Sequence, residues 1–252
     1  MDIKISDIKL ELSEASIDNL EGILNKYRND DRAGVIKLVQ KYEKELVKYA
    51  SELERIENMK IYENKYNEYS YICGIDEVGR GPLAGPVVAC AVILPKDCSI
   101  LYINDSKKLT EKKREELYDE IMEKAIAVGV GSIPPNKIDE INILNATYEA
   151  MKQAINNLKV KPDLLLNDAV TIPGVDIKQV PIIKGDAKSI SIAAASIIAK
   201  VTRDRIMGAY DGLFPMYDFA SNKGYGSSKH IEALKEYGPS PLHRMSFIKN
   251  FI

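Results

Sequence analysis

Two adjacent carboxylates meet a glycine-rich turn in the stretch Gly74-Ile75-Asp76-Glu77-Val78-Gly79-Arg80-Gly81-Pro82-Leu83-Ala84-Gly85-Pro86. The apolar residues before Asp76 predict a strand that starts near Tyr71, and the glycines after Glu77 predict where it stops. Consecutive strand side chains point to opposite faces, so the two acids are expected to share a site only if the strand ends there. Carboxylates beside exposed amides and an arginine are suited to binding a hard metal ion and a phosphodiester together.

Two later stretches follow the first in a defined order. They are Asp105-Ser-Lys-Lys-Leu109 and Lys184-Gly-Asp-Ala-Lys-Ser-Ile-Ser-Ile-Ala-Ala-Ala-Ser-Ile-Ile-Ala-Lys-Val-Thr-Arg-Asp204. Together with the Asp-Glu stretch, they resemble three motifs of ribonuclease HII, the type 2 ribonuclease H of bacteria. The resemblance covers roughly residues 71–252 and leaves the first 70 residues outside it.

The order of predicted elements gives an α/β fold class. Strands are predicted at 71–75, 87–94, 125–133, 163–168 and 181–183. Helices are predicted after Thr110, over 142–158, and from Asp186 to about Ile206. This order describes a mixed layer architecture. The resemblance implies a ribonuclease H-like mixed sheet flanked by helices, with an N-terminal helical extension and a C-terminal helical region.

Residues 1–70 are predicted to form the helical extension, and residues 71–252 the catalytic domain with its basic C-terminal region. Ser16 can cap one helix. A longer helix carries apolar residues at spacings of three and four: Val35, Leu38, Tyr42, Leu46, Tyr49, Leu53 and Ile56. A hairpin packed on itself or on the main domain explains this pattern. A nucleic-acid clamp is the alternative, and the negative charge of the segment argues against it.

Charge is unevenly distributed along the chain, whose net charge is −2. Residues 1–70 carry 12 basic and 15 acidic side chains, residues 71–186 carry 14 and 17, and residues 187–252 carry 9 and 5. The acidic middle suits a cation site, and the basic end suits a polyanion. Ordinary surface variation would produce the same asymmetry.

Composition is that of a globular protein, with 45% hydrophobic and 29% charged residues in 252. The sequence has no run of about 18 apolar residues and no signal-peptide pattern, so we expect a cytoplasmic protein that does not enter a membrane. Cys73, Cys90 and Cys98 lack C-x-x-C spacing. Buried, reduced thiols are therefore expected in place of zinc ligands or disulfides.

Two further acids complete a candidate metal site. Asp168 closes a predicted apolar strand, and Asp186 precedes the Ala/Ile-rich helix. If these elements flank the first strand, four carboxylates converge and repel one another unless cations lie between them. Oxygen ligands favour Mg²⁺ or Mn²⁺ over zinc. By resemblance, the catalytic and metal-binding set is Asp76, Glu77, Asp168 and Asp186.

Each acid has an ordinary explanation when taken alone. Asp186 could simply cap a helix, and Asp168 could be a loop acid like Asp163 or Asp176. Adjacent Asp-Glu pairs are common on protein surfaces. The metal site is predicted from the combination of the acids, the glycine loop and the matched order of motifs.

The resemblance implies a metal-dependent endoribonuclease. Hydrolysis by two divalent ions would leave 5′-phosphate and 3′-hydroxyl ends, with Asp76 as the bridging ligand. The expected partners are RNA–DNA hybrids and duplex DNA that contains ribonucleotides. We expect the enzyme to be a monomer.

Selectivity for RNA requires contact with a 2′-hydroxyl. By resemblance, the loop Gly79-Arg80-Gly81 contacts the ribose, and Arg80 can bind the adjacent phosphate. Tyr225 matches a tyrosine that packs on the following deoxyribose. A tight turn with an exposed arginine and a core tyrosine are the ordinary alternatives.

The third motif supplies candidate phosphate contacts. Lys188 and Ser189, at the predicted helix start, can bind backbone phosphate. Lys107 and Lys108 are phosphate contacts or plain surface charges. His230 and His243 are too isolated in sequence to indicate catalysis.

Other functions fit less well. Lys184-Gly-Asp-Ala-Lys-Ser lacks the Gly-Lys-Ser/Thr of a phosphate-binding nucleotide loop, which excludes that NTPase class. Ribonuclease HIII shares the Asp-Glu opening but lacks this Gly-Arg-Gly loop. A DNA junction nuclease of the same fold and a catalytically inactive nucleic-acid-binding module are the remaining alternatives.

Overall fold

The computed structural model describes residues 3–252, which divide into two compact units. The first unit ends at Glu57, and the second begins at Asn58. The sequence predicts a boundary at residue 70, but the contacts of residues 58–70 place them in the second unit.

The first unit consists of helices with a core of their own. They are α1 (Ile5–Glu14), α2 (Ile17–Tyr27) and most of α3 (Ala33–Asn58). Its buried core residues are Ile8, Leu12, Leu20, Leu24, Tyr27, Val35, Val39 and Tyr42. The helical prediction is confirmed, although α1 was not predicted as a separate helix. Ser16 precedes α2 as expected, but its side chain makes no capping hydrogen bond.

The second unit is built on a mixed five-stranded sheet in the order β3-β2-β1-β4-β5. Its strands are β1 (Ile72–Val78), β2 (Val87–Ile93), β3 (Ala127–Ile133), β4 (Leu164–Asp168) and β5 (Lys178–Ile182). Strands β1, β2 and β3 are antiparallel neighbours, whereas β1, β4 and β5 are parallel. The predicted fold class is confirmed. Strand β5 begins earlier than predicted and includes Pro181, which a sheet edge tolerates.

The sheet is accompanied by the other helices of the second unit. They are α4 (Ile61–Lys65), α5 (Glu111–Lys124), α6 (Pro135–Asn156), α7 (Ile190–Asp211), α8 (Phe219–Asn222), α9 (Ser228–Tyr237) and α10 (Met245–Ile248). Helix α6 packs on the face that carries Cys73 and Ile75. Helix α7 lies directly on the other face, because a Cβ added to Gly74 would be 2.1 Å from the carbonyl carbon of Ser191.

Two helix starts differ from the predictions for local reasons. Helix α6 begins at Pro135, but Asn142 interrupts it with φ 65° and caps the following segment by accepting a hydrogen bond from Asn145 N. The predicted start at residue 142 is therefore the start of the second segment. Helix α7 begins at Ile190 with Ser189 as its N-cap, because Asp186 lies in a preceding 3₁₀ turn.

The cysteines and the composition of the helices are two further features of the described residues. Cys73, Cys90 and Cys98 are all buried and unpaired, as predicted. None of the helices between residues 3 and 252 is long and apolar enough to cross a lipid bilayer.

Residues 58–70 are joined to the start of α7 by hydrogen bonds. The Glu63 carboxylate accepts hydrogen bonds from Ser189 Oγ at 2.6 Å and Ser191 N at 3.0 Å. The carbonyl of Met59 accepts one from Ile190 N at 3.0 Å. Tyrosines of the same segment pack against a buried sheet cluster, and they are Tyr62, Tyr66 and Tyr69. This segment therefore stabilises the helix that carries the third motif.

We predict that truncation at residue 70 harms the second unit more than truncation at residue 57. A chain of residues 71–252 loses the Glu63 contacts and the tyrosine packing, which should cost about 3 kcal/mol or more of unfolding free energy. Urea unfolding of chains 58–252 and 71–252, followed by circular dichroism, measures the difference directly. Equal unfolding free energies would contradict the assignment of residues 58–70 to this unit.

Candidate active site

Strand register brings the first two acids of the site together. Strands β1 and β4 are parallel, with Ile75 opposite Asn167, so the next residues on each strand are Asp76 and Asp168. Leu166 and Ile72 pack on the α7 face of the sheet. Because side chains alternate, Asp76 and Asp168 lie on that same face. Two strands that are far apart in the sequence therefore place two carboxylates side by side.

Asp76 is almost fully buried, with 6% of its surface exposed. Its Oδ1 accepts a hydrogen bond from Glu77 N at 2.7 Å, and the carboxylate also bonds with the Ser196 side chain on α7. Burial, followed by the nearby Glu77 and Asp168 charges, holds the pKa of Asp76 well above its usual range. A buried carboxylate that repels its neighbours is stabilised by a cation.

Glu77 brings a carboxylate oxygen without a protein partner. Strand β1 ends at Val78, directly before Gly79, so the glycines stop it as predicted, although both acids still lie within the strand. Even so, the carboxylates are close enough for Glu77 to raise the pKa of Asp76. Glu77 Oε1 accepts a hydrogen bond from Arg80 Nη1 at 3.2 Å, whereas Oε2 is buried without a hydrogen-bond partner among the described residues. Burial raises the pKa of Glu77 despite the opposing Arg80 charge.

The 3₁₀ turn before α7 adds Asp186 to the group. Gly185 N donates to Asp168 Oδ1 at 2.7 Å and so fixes this turn against the end of β4. Burial raises the pKa of Asp186, and the charges of Asp105 and Asp168 raise it further. The charge of Asp168 therefore acts on each of the other three predicted acids.

Asp105, the first residue of the second motif, is a fifth acid, which the sequence did not predict to belong to the site. Its side chain is hydrogen-bonded to Asp186, and it caps a short turn by accepting from Lys107 N at 2.9 Å. In the same motif, Ser106 Oγ lies 3.0 Å from Ser196 Oγ, and Ser196 bonds with Asp76. These contacts connect the second motif to the first and the third.

The donor set of this group fits a hard divalent cation. It contains only carboxylate oxygens, and the buried Glu77 oxygen has an unused acceptor. Within residues 3–252, however, no three His, Cys, Asp or Glu side chains are grouped closely enough to hold a metal ion by themselves. Ligands from the substrate would complete such a site, as is common for Mg²⁺.

The glycine loop lies beside the acids and next to Tyr225. Gly79 has φ 87°, and a Cβ there would be 2.2 Å from Arg203 Nε, so only glycine fits. A Cβ on Gly81 would be 3.9 Å from Cε1 of Tyr225. Tyr225 is 46% exposed, so it is not a core residue. Arg80, Gly81 and Tyr225 therefore form one exposed surface, whereas Gly79 is buried.

The two predicted phosphate contacts of the third motif differ in accessibility. Lys188 is exposed. Ser189 is completely buried, and its Oγ donates to Glu63 and accepts from Ile192 N at 3.2 Å. Helix capping, which the sequence could not distinguish from phosphate binding, therefore accounts for the Ser189 hydroxyl.

The two histidines form a buried pair outside the acidic group. Their Nε2 atoms are 2.9 Å apart. His230 Nδ1 lies 2.8 Å from the Tyr225 carbonyl, which can only accept, so this nitrogen is the donor and the His230 Nε2 accepts from His243. His243 Nδ1 then accepts from Ser240 N at 2.9 Å. Both rings are thus neutral, and they hold the backbone of Tyr225.

Comparison with known proteins gives the family. The family model for ribonuclease HII matches residues 73–250, and that for the ribonuclease HII N-terminal domain matches residues 4–67. The chain belongs to the ribonuclease HII family. It is an enzyme with ribonuclease H activity, a nuclease and hydrolase of a family that depends on divalent metal ions.

Similar proteins support this family over nearly the whole chain. A ribonuclease HII of Lachnoclostridium phytofermentans is 68% identical over 99% of this chain and 98% of its own. One from Bacillus subtilis is 51% identical, covering 97% and 96%. The solved ribonuclease H2 of Pyrococcus horikoshii OT3 is 30% identical with a TM-score of 0.58, covering 70% of this chain and 93% of its own.

We predict that Asp76→Asn stabilises the metal-free ribonuclease. The substitution removes a buried charge but keeps an acceptor for Glu77 N, so unfolding free energy in chelator should rise by about 1–2 kcal/mol, or the melting temperature by roughly 2–8 °C. Millimolar Mn²⁺ should raise the melting temperature of the unchanged protein more than that of the variant. Differential scanning calorimetry with and without Mn²⁺ tests both effects.

Asp176→Asn is the matched control, because Asp176 is an exposed acid that lies outside the three motifs. Mn²⁺ should raise the melting temperature of this control as much as that of the unchanged protein. If the Asp76 variant gained as much stability from Mn²⁺ as this control, Asp76 would not be a ligand.

We predict that the histidine pair makes stability fall in acid. Burial and the neighbouring His230 lower the pKa of His243 to about 4, whereas an unfolded histidine titrates near 6.5. The unfolded chain therefore binds the proton first as the pH falls below about 6.5, which should cost about 2 kcal/mol by pH 5. His243→Gln should lose that much less stability between pH 7 and pH 5 in urea unfolding. An identical loss in both proteins would show that the pair does not titrate in this way.

Proposed function

We propose that this ribonuclease cleaves the phosphodiester 5′ to a ribonucleotide, both in RNA–DNA hybrids and at single ribonucleotides embedded in duplex DNA. The observation that carries the proposal is the pairing of Asp76 and Asp168 on one sheet face beside the exposed glycine loop. The products would carry 5′-phosphate and 3′-hydroxyl ends.

The catalytic and metal-binding residues are proposed to be the carboxylates of Asp76, Glu77, Asp168 and Asp186. Two bound Mg²⁺ or Mn²⁺ ions would supply an activated water and neutralise the charge that develops on the leaving 3′-oxygen. Asp76 is proposed as the shared ligand because it is buried and fixed by hydrogen bonds from Glu77 N and Ser196. The unused Glu77 Oε2 supports a second contact.

The substrate is proposed to bind on the surface formed by Gly79, Arg80, Gly81 and Tyr225. Amides of the loop would contact the 2′-hydroxyl, and Arg80 would move from Glu77 to the adjacent phosphate. The exposed Tyr225 ring would pack on the deoxyribose that follows. Lys188, which is exposed at the start of α7, would bind a backbone phosphate, whereas the Ser189 hydroxyl serves the helix cap.

The test compares three forms of one 20-base-pair duplex, namely with a single ribonucleotide, as an RNA–DNA hybrid and as all DNA, together with an all-DNA four-way junction. We expect Mg²⁺- or Mn²⁺-dependent cleavage of the first two forms and none of the others. Chelator should abolish cleavage, and Asp76→Asn should reduce kcat on the order of 10³-fold or more.

Asp176→Asn again provides the matched acid control and should cleave normally. Cutting of the all-DNA junction would favour a junction nuclease, and cleavage of the hybrid alone would remove the single ribonucleotide from the proposal. Unchanged cleavage by Asp76→Asn would refute the site.

A further inference from the structure

Two arginines of the second unit are completely buried without an acid to pair with. Arg203 lies on α7, Arg244 lies just before α10, and each is 0% exposed. Among the described residues, neither guanidinium forms an ion pair with a carboxylate. A buried charge is costly unless its hydrogen bonds are satisfied, so the partners of these two groups are informative.

Arg244 donates to three carbonyls within residues 79–85, the segment that starts with the glycine loop. Its Nη2 lies 2.5 Å from the Gly79 oxygen, its Nη1 lies 2.8 Å from the Arg80 oxygen, and its Nε lies 3.0 Å from the Gly85 oxygen. One rigid, planar guanidinium group therefore fixes both ends of this segment.

Arg203 holds the neighbouring backbone in the same way. Its three nitrogens donate to the carbonyls of Pro86 at 2.9 Å, Ala84 at 3.1 Å and Lys223 at 2.8 Å. Its Nε would collide with any Cβ at Gly79. Lys223 belongs to the segment that carries Tyr225, so Arg203 connects the loop to the tyrosine.

Fixing a carbonyl also fixes the amide on the other side of the same peptide. A trans peptide is planar, so its C=O and N–H point in opposite directions. The carbonyls of Gly79 and Arg80 point at Arg244, and therefore the N–H groups of Arg80 and Gly81 point away from it. Both residues are exposed, and within the described part of the chain neither amide has a hydrogen-bond acceptor.

We propose that Arg244 is a positioning residue, which aims the amides of Arg80 and Gly81 at the ribose and thereby sets selectivity for a single ribonucleotide. This inference rests on the proposed function. Arg244 touches neither substrate nor metal in this account, and it acts through the peptide planes that it holds. Lysine keeps the charge but has one nitrogen, so it cannot hold three carbonyls in fixed directions.

The test measures kcat/KM for a duplex with one ribonucleotide and for an RNA–DNA hybrid, in the unchanged enzyme and in Arg244→Lys and Arg244→Met. A hybrid offers a 2′-hydroxyl at every position, so a misaligned loop still finds a productive register there. A single ribonucleotide offers one. We expect the ratio of the two kcat/KM values to fall tenfold or more in both variants.

Arg205→Lys is the matched control. Arg205 is a half-exposed arginine on the same helix as Arg203 and is paired with Glu115. The Arg205→Lys variant should have the same ratio of the two kcat/KM values as the unchanged enzyme. A simple loss of folded protein lowers both kcat/KM values equally and leaves the ratio unchanged, so an unchanged ratio in folded Arg244→Lys overturns the inference.

Two further outcomes are distinguishable. If the unchanged enzyme does not cleave at a single ribonucleotide, the proposed function itself fails, and this inference fails with it. If neither Arg244 variant folds, amide NMR of the full chain carrying Asp76→Asn decides. The Arg80 and Gly81 amide signals should shift with the ribonucleotide duplex but not with all-DNA duplex, and equal responses to both duplexes overturn the inference.

Discussion

Burial of the Asp76 carboxylate beside Glu77 and Asp168 is the constraint on which the rest of the second unit depends. Parallel pairing of β1 and β4 puts the two carboxylates on one face, and α7 covers that face closely enough to bury Asp76. Burial strengthens the repulsion because the local dielectric is low. A cation removes the penalty, so the arrangement that is unfavourable for the free protein is favourable for metal binding.

The surroundings of the acids direct this site towards a nucleic acid. Three motifs that are distant in the sequence meet through the contact of Ser106 with Ser196 and of Ser196 with Asp76. On the open side, the glycine loop and Tyr225 form the exposed surface, and buried arginines and histidines hold their backbones from behind. In the proposed function, rigid support of this kind would keep the glycine loop in its binding conformation.

The sequence could predict the strands and the acids because both follow local rules. Apolar runs specified β1, β2 and β4, and Asp168 followed from its position at the end of such a run. The burial of Asp76 and the adjacency of Asp168 required the β1–β4 register, which pairs residues more than 90 positions apart. The hydrogen bond that buries Ser189 against Glu63 could not be predicted, because the sequence alone assigned Glu63 to the N-terminal extension. The roles of Arg244 and of the two histidines could not be predicted from the sequence. Arg244 binds backbone carbonyls and the histidines bind each other, and neither kind of contact leaves a pattern in the sequence.

The most direct measurement is anomalous scattering from crystals of the enzyme grown with Mn²⁺. We expect a manganese peak in contact with the carboxylates of both Asp76 and Asp168. A peak bound only by Asp105 and Asp186, or none on the α7 face of the sheet, would contradict it.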